Sequence, residues 1–400
     1  MTVDVERARA DTPGCENVAH FNNAGSSLPP RPVLDAVIAH LEREAEIGGY
    51  EAAAERADQI EHTYDALARL LGCAPDEVAV VENATRAWDM AFYSFRFEPG
   101  DRILTGVAEY ASNWIALKQV ADRTGAEIAV IPDDEHGQVS VEALASMLEA
   151  DGGSRVKLVS LVHVPSQGGL VNPAAEVGRV TRAAGVPLLL DACQSAGQMP
   201  LDVAALGCDV LTGTGRKFLR APRGTGFMYV QRELIERLEP PLLDLHSAEW
   251  LPGGDGYRIR PDARRFETWE GNVAGKIGLG VAADYALSIG LEAIRERVTG
   301  LAADLRERLG ALPGATVHDR GREKCGIVTF SLAGIGAARV VAALREERIN
   351  VSLMPASYAR LDFGPRGLDE VVRASVHYYN SEAELERLIR AVSSCGTTAA

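Results

Sequence analysis

Two stretches decide the fold: Pro187-Leu-Leu-Leu-Asp191-Ala-Cys-Gln194, and, soon after it, Val210-Leu-Thr-Gly213-Thr214-Gly215-Arg216-Lys217-Phe218. Each begins as a short apolar run and ends in chemistry. The first ends in a carboxylate, the second in a small-residue turn bearing a hydroxyl, a guanidinium and an amine. In open α/β sheets ligands bind outside the carboxyl ends of the strands, so Asp191 is expected to face such a crevice. Taken alone, Asp191 could equally cap a helix, and Lys217 could be a solvated lysine. A P-loop is disfavoured, because the pattern G-x-x-x-x-G-K-[ST] is broken by Phe218.

Working outward, apolar runs alternate with helix-like segments from about Asp76 to Val230, the pattern of βα units around a largely parallel sheet. Strands are expected at Val78-Val81, Arg102-Leu104, Glu127-Ile131, Lys157-His163, Pro187-Leu190, Val210-Thr212 and Gly226-Val230. Helical spacing marks Ala111-Arg123 and Ala174-Ala184, with Gly125 and Gly185 as stops. Pro32-Leu71 reads as helices broken at Ile47-Gly48-Gly49-Tyr50 and stopped at Gly72. After about Gly275 the pattern turns to long helices, Ile277-Gly290 and Leu291-Leu309, then Gly326-Leu332, Ala337-Glu346 and a last helix opened by Asn380-Ser381-Glu382. The fold class is α/β: an N-terminal segment (1–20), a large domain with a mostly parallel sheet (21–274) and a smaller C-terminal α+β domain (275–400).

Composition narrows the function. With 46% hydrophobic and 24% charged residues, the 400-residue chain has the balance of a globular protein. Its net charge of -15 repels phosphate backbones and anionic membranes, so neither nucleic acid nor membrane is an expected partner. The six cysteines are scattered, without C-x-x-C, as in a reducing cytoplasm, and the opening MTVDVERARAD lacks the pattern of a signal peptide. A cytoplasmic location is therefore expected. No histidine pair has metal-ligand spacing, and no metal is expected. A dehydrogenase is disfavoured because G-x-G-x-x-G is missing after the first strand.

Asp191, Thr214, Arg216 and Lys217 as a set supply what pyridoxal 5′-phosphate (PLP) requires: a carboxylate for the pyridine nitrogen, phosphate donors and a lysine to form the Schiff base. With these residues in place, the chain resembles the class V aminotransferase family of PLP enzymes (fold type I) over roughly Phe21 to Val392. In that family a strand Asp, a Gln three residues later and a [ST]-G-x-K turn recur, and Asp191, Gln194 and Thr214-Gly215-Arg216-Lys217 fall on these places. The resemblance implies further roles. Asn23 and Ala24, in Phe21-Asn22-Asn23-Ala24-Gly25, lie beside the substrate. Ala84 and Thr85, in Glu82-Asn83-Ala84-Thr85-Arg86, bind phosphate at a helix start, although Thr85 could also be a plain N-cap. Tyr110, in Glu109-Tyr110-Ala-Ser-Asn113, stacks on the ring, with Asn113 as a second polar contact. Either Ser166 or Gln167 contacts the ring hydroxyl. Arg373, in Val372-Arg373-Ala374-Ser375, holds the substrate carboxylate, the alternative being a structural ion pair. The phosphate threonine that many relatives lend to a partner subunit is replaced near Glu270, and a homodimer with shared sites is still implied.

The resemblance also shapes the expected reaction. Lys217 is the expected base for the α-proton of an amino-acid substrate. Desulfurases of the family need a mobile cysteine before the substrate-binding arginine, but Ile349-Asn-Val-Ser352-Leu-Met-Pro355-Ala-Ser-Tyr358-Ala-Arg360 contains none. The segment Leu41-Glu-Arg-Glu-Ala-Glu-Ile-Gly48-Gly49-Tyr50 resembles one in hercynylcysteine sulfoxide lyases, and enzymes processing S-conjugated cysteines in secondary metabolism are expected to be similar. The expectation is therefore a C–S lyase acting by β-elimination on a cysteine S-conjugate. The alternatives are epimerisation, transamination, or decarboxylation with oxidative deamination.

Overall fold

The computed structural model describes residues 2–150 and 155–397. Its main sheet has seven strands: β2 (Val78–Val81), β3 (Arg102–Gly106), β4 (Glu127–Ile131), β5 (Val156–Val162), β6 (Leu188–Asp191), β7 (Val210–Thr214) and β8 (Gly226–Val230), with a short β1 (Ala19–His20) elsewhere. They lie in the order β2-β8-β7-β6-β5-β3-β4. β8 runs antiparallel to both of its neighbours, and the remaining pairs are parallel. The two-residue period of a strand divides its side chains between the sheet's faces. Val78, Val80, Leu188 and Leu190 join one apolar core, together with Tyr64 and Leu67 from the helix Ala57–Leu71. Ala79, Val81, Ile103, Leu158 and Leu189 join a second, with Trp88 from the helix Ala84–Phe92 and Leu117 from the helix Ala111–Thr124. Burial on both faces explains why these strands read as continuous apolar runs.

Further along come a hairpin, β9 (Ala248–Trp250) with β10 (Tyr257–Ile259), and a second sheet of β11 (Ala315–Val317), β12 (Ile327–Leu332), β14 (Ser352–Pro355) and β15 (Glu370–Ser375). That sheet is antiparallel, in the order β11-β12-β15-β14. Arg373 sits within β15, between Thr329 of β12 and Ser352 of β14. The remaining strand, β13 (Ile349–Asn350), pairs in parallel with β1.

The expected elements are present, most with ends shifted by one or two residues, and the differences are local. Gly48 breaks the early helices as expected, with φ 103, but a second break falls at Arg56, between the helices Gly49–Glu55 and Ala57–Leu71. The boundary expected at 274/275 falls inside the helix Val273–Ile289, which packs on the helices Arg31–Ile47 and Ala57–Leu71. The last helix, Glu382–Thr397, is opened as read: Ser381 Oγ accepts from the Glu384 N–H, and a Glu384 carboxylate oxygen accepts from the Ser381 N–H. Of the expected segments, residues 1, 151–154 and 398–400 lie outside the described residues. Among the described residues no single helix is long and apolar enough to cross a membrane.

Candidate active site

A cavity of about 520 Å³ opens at the carboxyl ends of the parallel strands, and it collects most of the residues singled out in the sequence. Ala84, Thr85, Tyr110, Ser166, Asp191, Gln194, Thr214, Arg216 and Lys217 all line it. Asp191 closes β6, Thr214 closes β7, and Lys217 lies in the turn after β7. That turn is tightly held. The Gly215 N–H donates to Thr225 O (3.0 Å), the Ala221 N–H to Gly215 O (2.8 Å) and the Arg220 N–H to Lys217 O (2.9 Å). Arg220 takes a left-handed φ of 62. Its buried guanidinium fixes that conformation by donating to Leu28 O, the Tyr378 hydroxyl and Thr12 Oγ1.

Asp191 is buried, and its two oxygens accept from the Cys193 N–H (2.9 Å) and from Asn113 Nδ2 (3.1 Å). Among the described residues the Lys217 amine has no hydrogen-bond partner, and the residue is exposed only in part. Burial lowers its pKa from that of a free lysine, and the cations Arg216 and Arg373 push the same way against Cys193 and Asp191. More of it is consequently an uncharged amine at neutral pH than of a solvated lysine. Cys193 also lines the cavity, and burial, helped by Asp191, raises its pKa, so it stays a thiol.

At the cavity's other end the helix Ala84–Phe92 begins. Asn83 caps it by accepting from the Arg86 N–H at 2.9 Å, which leaves the first N–H groups, those of Ala84 and Thr85, without intrahelical partners. Such a helix start attracts anions. Thr214 Oγ1 and the Arg216 side chain line the same cavity. Thr85 is not the N-cap; Asn83 is.

Arg373 lies beside the cavity, although it does not line it. Its guanidinium is buried, donates to Ser166 O (2.9 Å) and Asn22 Oδ1 (3.4 Å), and leaves Nε without a partner. No carboxylate among the described residues pairs with it, so the ion-pair alternative does not describe this arginine. Burial pushes its pKa down to about 10, which still leaves it charged at neutral pH.

Two expected residues are placed elsewhere. Asn23 is fully buried, and its amide donates to Ser375 O (2.7 Å) and His20 O (3.2 Å) while accepting from the Tyr379 hydroxyl. Ala24 is equally buried, and its carbonyl accepts from Gln194 Nε2 (3.1 Å). Neither lines the cavity: both hold the opening segment in place, and its Asn22 is the residue that reaches Arg373. Gln167 lines a separate small space, whereas Ser166 lines the main cavity. The stretch Pro252–Tyr257, around the β9–β10 turn, contributes nothing to the lining. Glu82, Asn83, Cys193, Arg223, Gly224 and Thr225 line the cavity without having been assigned a role. Glu82 and Asn83 precede the helix start that had been read, and Cys193 lies inside the Asp-to-Gln stretch.

The aminotransferase class-V profile matches residues 19–388. The chain belongs to the aminotransferase class-V family. A probable cysteine desulfurase of Xylella fastidiosa (strain 9a5c) is 31% identical over 406 residues, covering 97% of this chain and 95% of that relative. The apo structure of a cysteine desulfurase from Thermococcus onnurineus NA1 superposes with a TM-score of 0.90 at 26% identity, over 100% of this chain and 99% of that one. The cystine C-S lyase C-DES, solved with its product cysteine persulfide, shares the fold with a TM-score of 0.85 at 24% identity, over 96% of this chain and 99% of its own. As a class-V member the chain is a PLP-dependent enzyme of fold type I. Its cavity fits that cofactor. It offers an amine, a carboxylate and a cluster of anion donors, and the buried Ser166 Oγ and Gln194 Oε1 have no hydrogen-bond partner among the described residues. Among the described residues no group of three or more His, Cys, Asp or Glu side chains is arranged to hold a metal ion.

Proposed function

We propose that this class-V enzyme cleaves the C–S bond of a cysteine S-conjugate by β-elimination, giving a thiol, pyruvate and ammonia. The single observation that carries the reading is the juxtaposition, in one cavity, of the Lys217 amine and the Asp191 carboxylate, with the buried cation of Arg373 alongside. Support for C–S chemistry comes from the relatives named as cysteine desulfurases.

In this reading Lys217 anchors PLP, Asp191 faces its ring nitrogen, and Tyr110 covers the ring. The Ala84 and Thr85 N–H groups, Thr214 and Arg216 hold its phosphate, and Ser166 and Gln194 meet its remaining polar edge. Bound there, PLP would supply an electron-accepting ring. The substrate carboxylate pairs with Arg373, whose forked donors fix both its position and its tilt. Once displaced by substrate, the Lys217 amine takes the α-proton, and its lowered pKa suits it to act as a base. The pair freed at Cα then forms a Cα=Cβ bond as the C–S bonding pair departs with sulfur as a thiolate, which takes up a proton. Addition of one water releases the remaining fragment as pyruvate and ammonia, so that conjugate plus water balances thiol, pyruvate and ammonia.

A desulfurase outcome is disfavoured by the chain itself. The segment 349–360 carries no sulfur nucleophile, and Cys193, in the cavity, is held as a thiol. A homodimer belongs to the same reading, supported by an exposed apolar stripe, Leu34, Ile38 and Leu41, on the helix Arg31–Ile47. The deciding experiment incubates the PLP-loaded enzyme with a panel of S-substituted cysteines and with free cysteine, and assays thiol, pyruvate, ammonia and alanine. Thiol and pyruvate in equal amounts are expected from at least one conjugate. Alanine formed from free cysteine, with no pyruvate from any conjugate, would replace this reading with desulfuration.

A further inference from the structure

One buried acid beside the cavity has no role in the steps above. Glu109 precedes Tyr110 and is 5% exposed. One of its oxygens accepts from the Tyr110 N–H (2.7 Å) and from Asn113 Nδ2 (3.0 Å), and the other from the hydroxyls of Thr105 and Ser160. The same Asn113 nitrogen donates to Asp191 at 3.1 Å. The amide thus bridges two buried carboxylates, Glu109 and the one assigned to the PLP ring nitrogen.

The placement follows from strand periodicity. Ile103, Leu158 and Leu189 face the core beneath the helix Ala111–Thr124. Two residues further along their strands, Thr105, Ser160 and Asp191 therefore face the same way. Thr105 and Ser160 are also register partners across β3 and β5. The result is a polar strip across three adjacent strands, continued by Thr212 of β7 beside Asp191, and Glu109 sits on it. Hydroxyls serve an acid in either state, because they donate to the carboxylate and accept from the protonated form.

We propose that Glu109 is a positioning residue for the cofactor: through Asn113 it orients Asp191, and its negative charge strengthens the hold of that pair on the protonated ring nitrogen. The proposal rests on the PLP reading of the cavity. Burial, with a further push from Asp191, raises the pKa of Glu109 to about 7, against the pull of the Thr105 hydroxyl, the Tyr110 N–H and the Asn113 amide. The charge is therefore present above neutrality and absent below it. The neighbours supplied by β3, β5 and the helix are neutral (Thr105, Ser160, Asn113), the phenol of Tyr110 follows in the chain, and Asp191 of β6 is the charged group reached through the amide.

The test compares PLP affinity in wild type and Glu109→Gln, each stripped of cofactor and re-titrated by visible absorbance from pH 5.5 to 8.5. Glutamine keeps the shape and both kinds of hydrogen bond but cannot ionise. The ratio of the two dissociation constants is expected to lie near 1 at the acid end and to rise to about tenfold at the alkaline end, one pK unit's worth of interaction. A purely structural role gives a ratio that does not change with pH, and that result overturns the proposal. Ser160→Ala provides a second arm, since it removes one donor to ionised Glu109 while leaving its charge. Measured against the Ser160→Ala/Glu109→Gln double variant, the rise in the ratio should move to higher pH, and a rise that stays in place also overturns the proposal. A wild type that takes up no PLP at any pH defeats the PLP reading itself, which separates that failure from this one.

Discussion

A guanidinium enclosed by protein, with a carbonyl and an amide oxygen alone among the described residues to receive its protons, is an incomplete arrangement, and Arg373 is in that position. Burying an ion without a counter-ion is costly, so an anion arriving from outside is bound strongly there. Arg373→Ala should raise KM for the amino-acid substrate by about tenfold to a hundredfold, or about 1.4–2.8 kcal/mol, the range for hydrogen bonds to charged groups. Arg373→Lys should recover part of this, because it restores the charge but not the two parallel donors. Steady-state kinetics together with the visible spectrum check the assignment: the cofactor absorption should survive both substitutions, and its loss would move Arg373 from substrate to cofactor. At Lys217 the expected pattern is reversed. Lys217→Ala should abolish turnover, and any PLP it still binds should be removable by dialysis, whereas the wild type keeps its colour.

At the level of elements, the phosphate end of the site depends on how closely β8 approaches the start of the helix Ala84–Phe92. Gly226 opens β8, and a Cβ there would stand 2.4 Å from the carbonyl carbon of Asn83 and 2.7 Å from its Cα and O. These are backbone atoms of the N-cap and cannot rotate away, so the helix start itself must shift. Gly226→Ala should therefore weaken PLP binding by at least about tenfold (1.4 kcal/mol) while circular dichroism still reports a folded protein. Unchanged affinity would mean that the Ala84 and Thr85 N–H groups do not hold the phosphate. The same elements show what could be read in the sequence. Most of the seven strands stood out because two-sided burial makes them bounded apolar runs, the edge strand β4 being buried only at Ile131, and Asp191 and Lys217 stood out because polar groups follow such runs directly. The break at Arg56 was not legible, since neither Gly nor Pro marks it. Arg223, Gly224 and Thr225 were missed because they lie in the loop before the antiparallel strand β8, where a residue's distance from the site depends on sheet order rather than on spacing along the chain. Glu109 stood in plain view beside Tyr110, but the polar strip beneath it exists only once β3, β5 and β6 are in register.

For the whole molecule, the chain's opening segment is joined to the second sheet, and Asn23 is the joint. β1 pairs with β13 in a two-stranded sheet of its own, Asn22 bridges to Ser375 in parallel, and the Ser375 N–H donates to Phe21 O at 2.7 Å, so residues 19–22 tie β13 to the end of β15. Sequence resemblance pointed to this segment as a neighbour of the site, and side chains alternate along an extended chain. Asn22 consequently faces Arg373 while Asn23 turns inward. The two asparagines should separate cleanly on substitution. Asn23→Ala removes the amide that donates to the buried Ser375 carbonyl and accepts from the Tyr379 hydroxyl, each group costing about 1–3 kcal/mol if left unsatisfied, while the His20 carbonyl keeps Asn380 Nδ2. Because a chain of this length need not unfold in one step, the loss is best read locally, by hydrogen exchange. Amides of residues 19–28 should exchange at least about thirtyfold faster in Asn23→Ala, corresponding to about 2 kcal/mol. Asn22→Ala removes one long hydrogen bond from a half-buried position, so it should leave that exchange nearly unchanged and instead raise KM for the substrate through Arg373. If Asn23→Ala raised KM with normal exchange, the inward amide would be reaching substrate after all, and the opening segment would have to sit differently against β15.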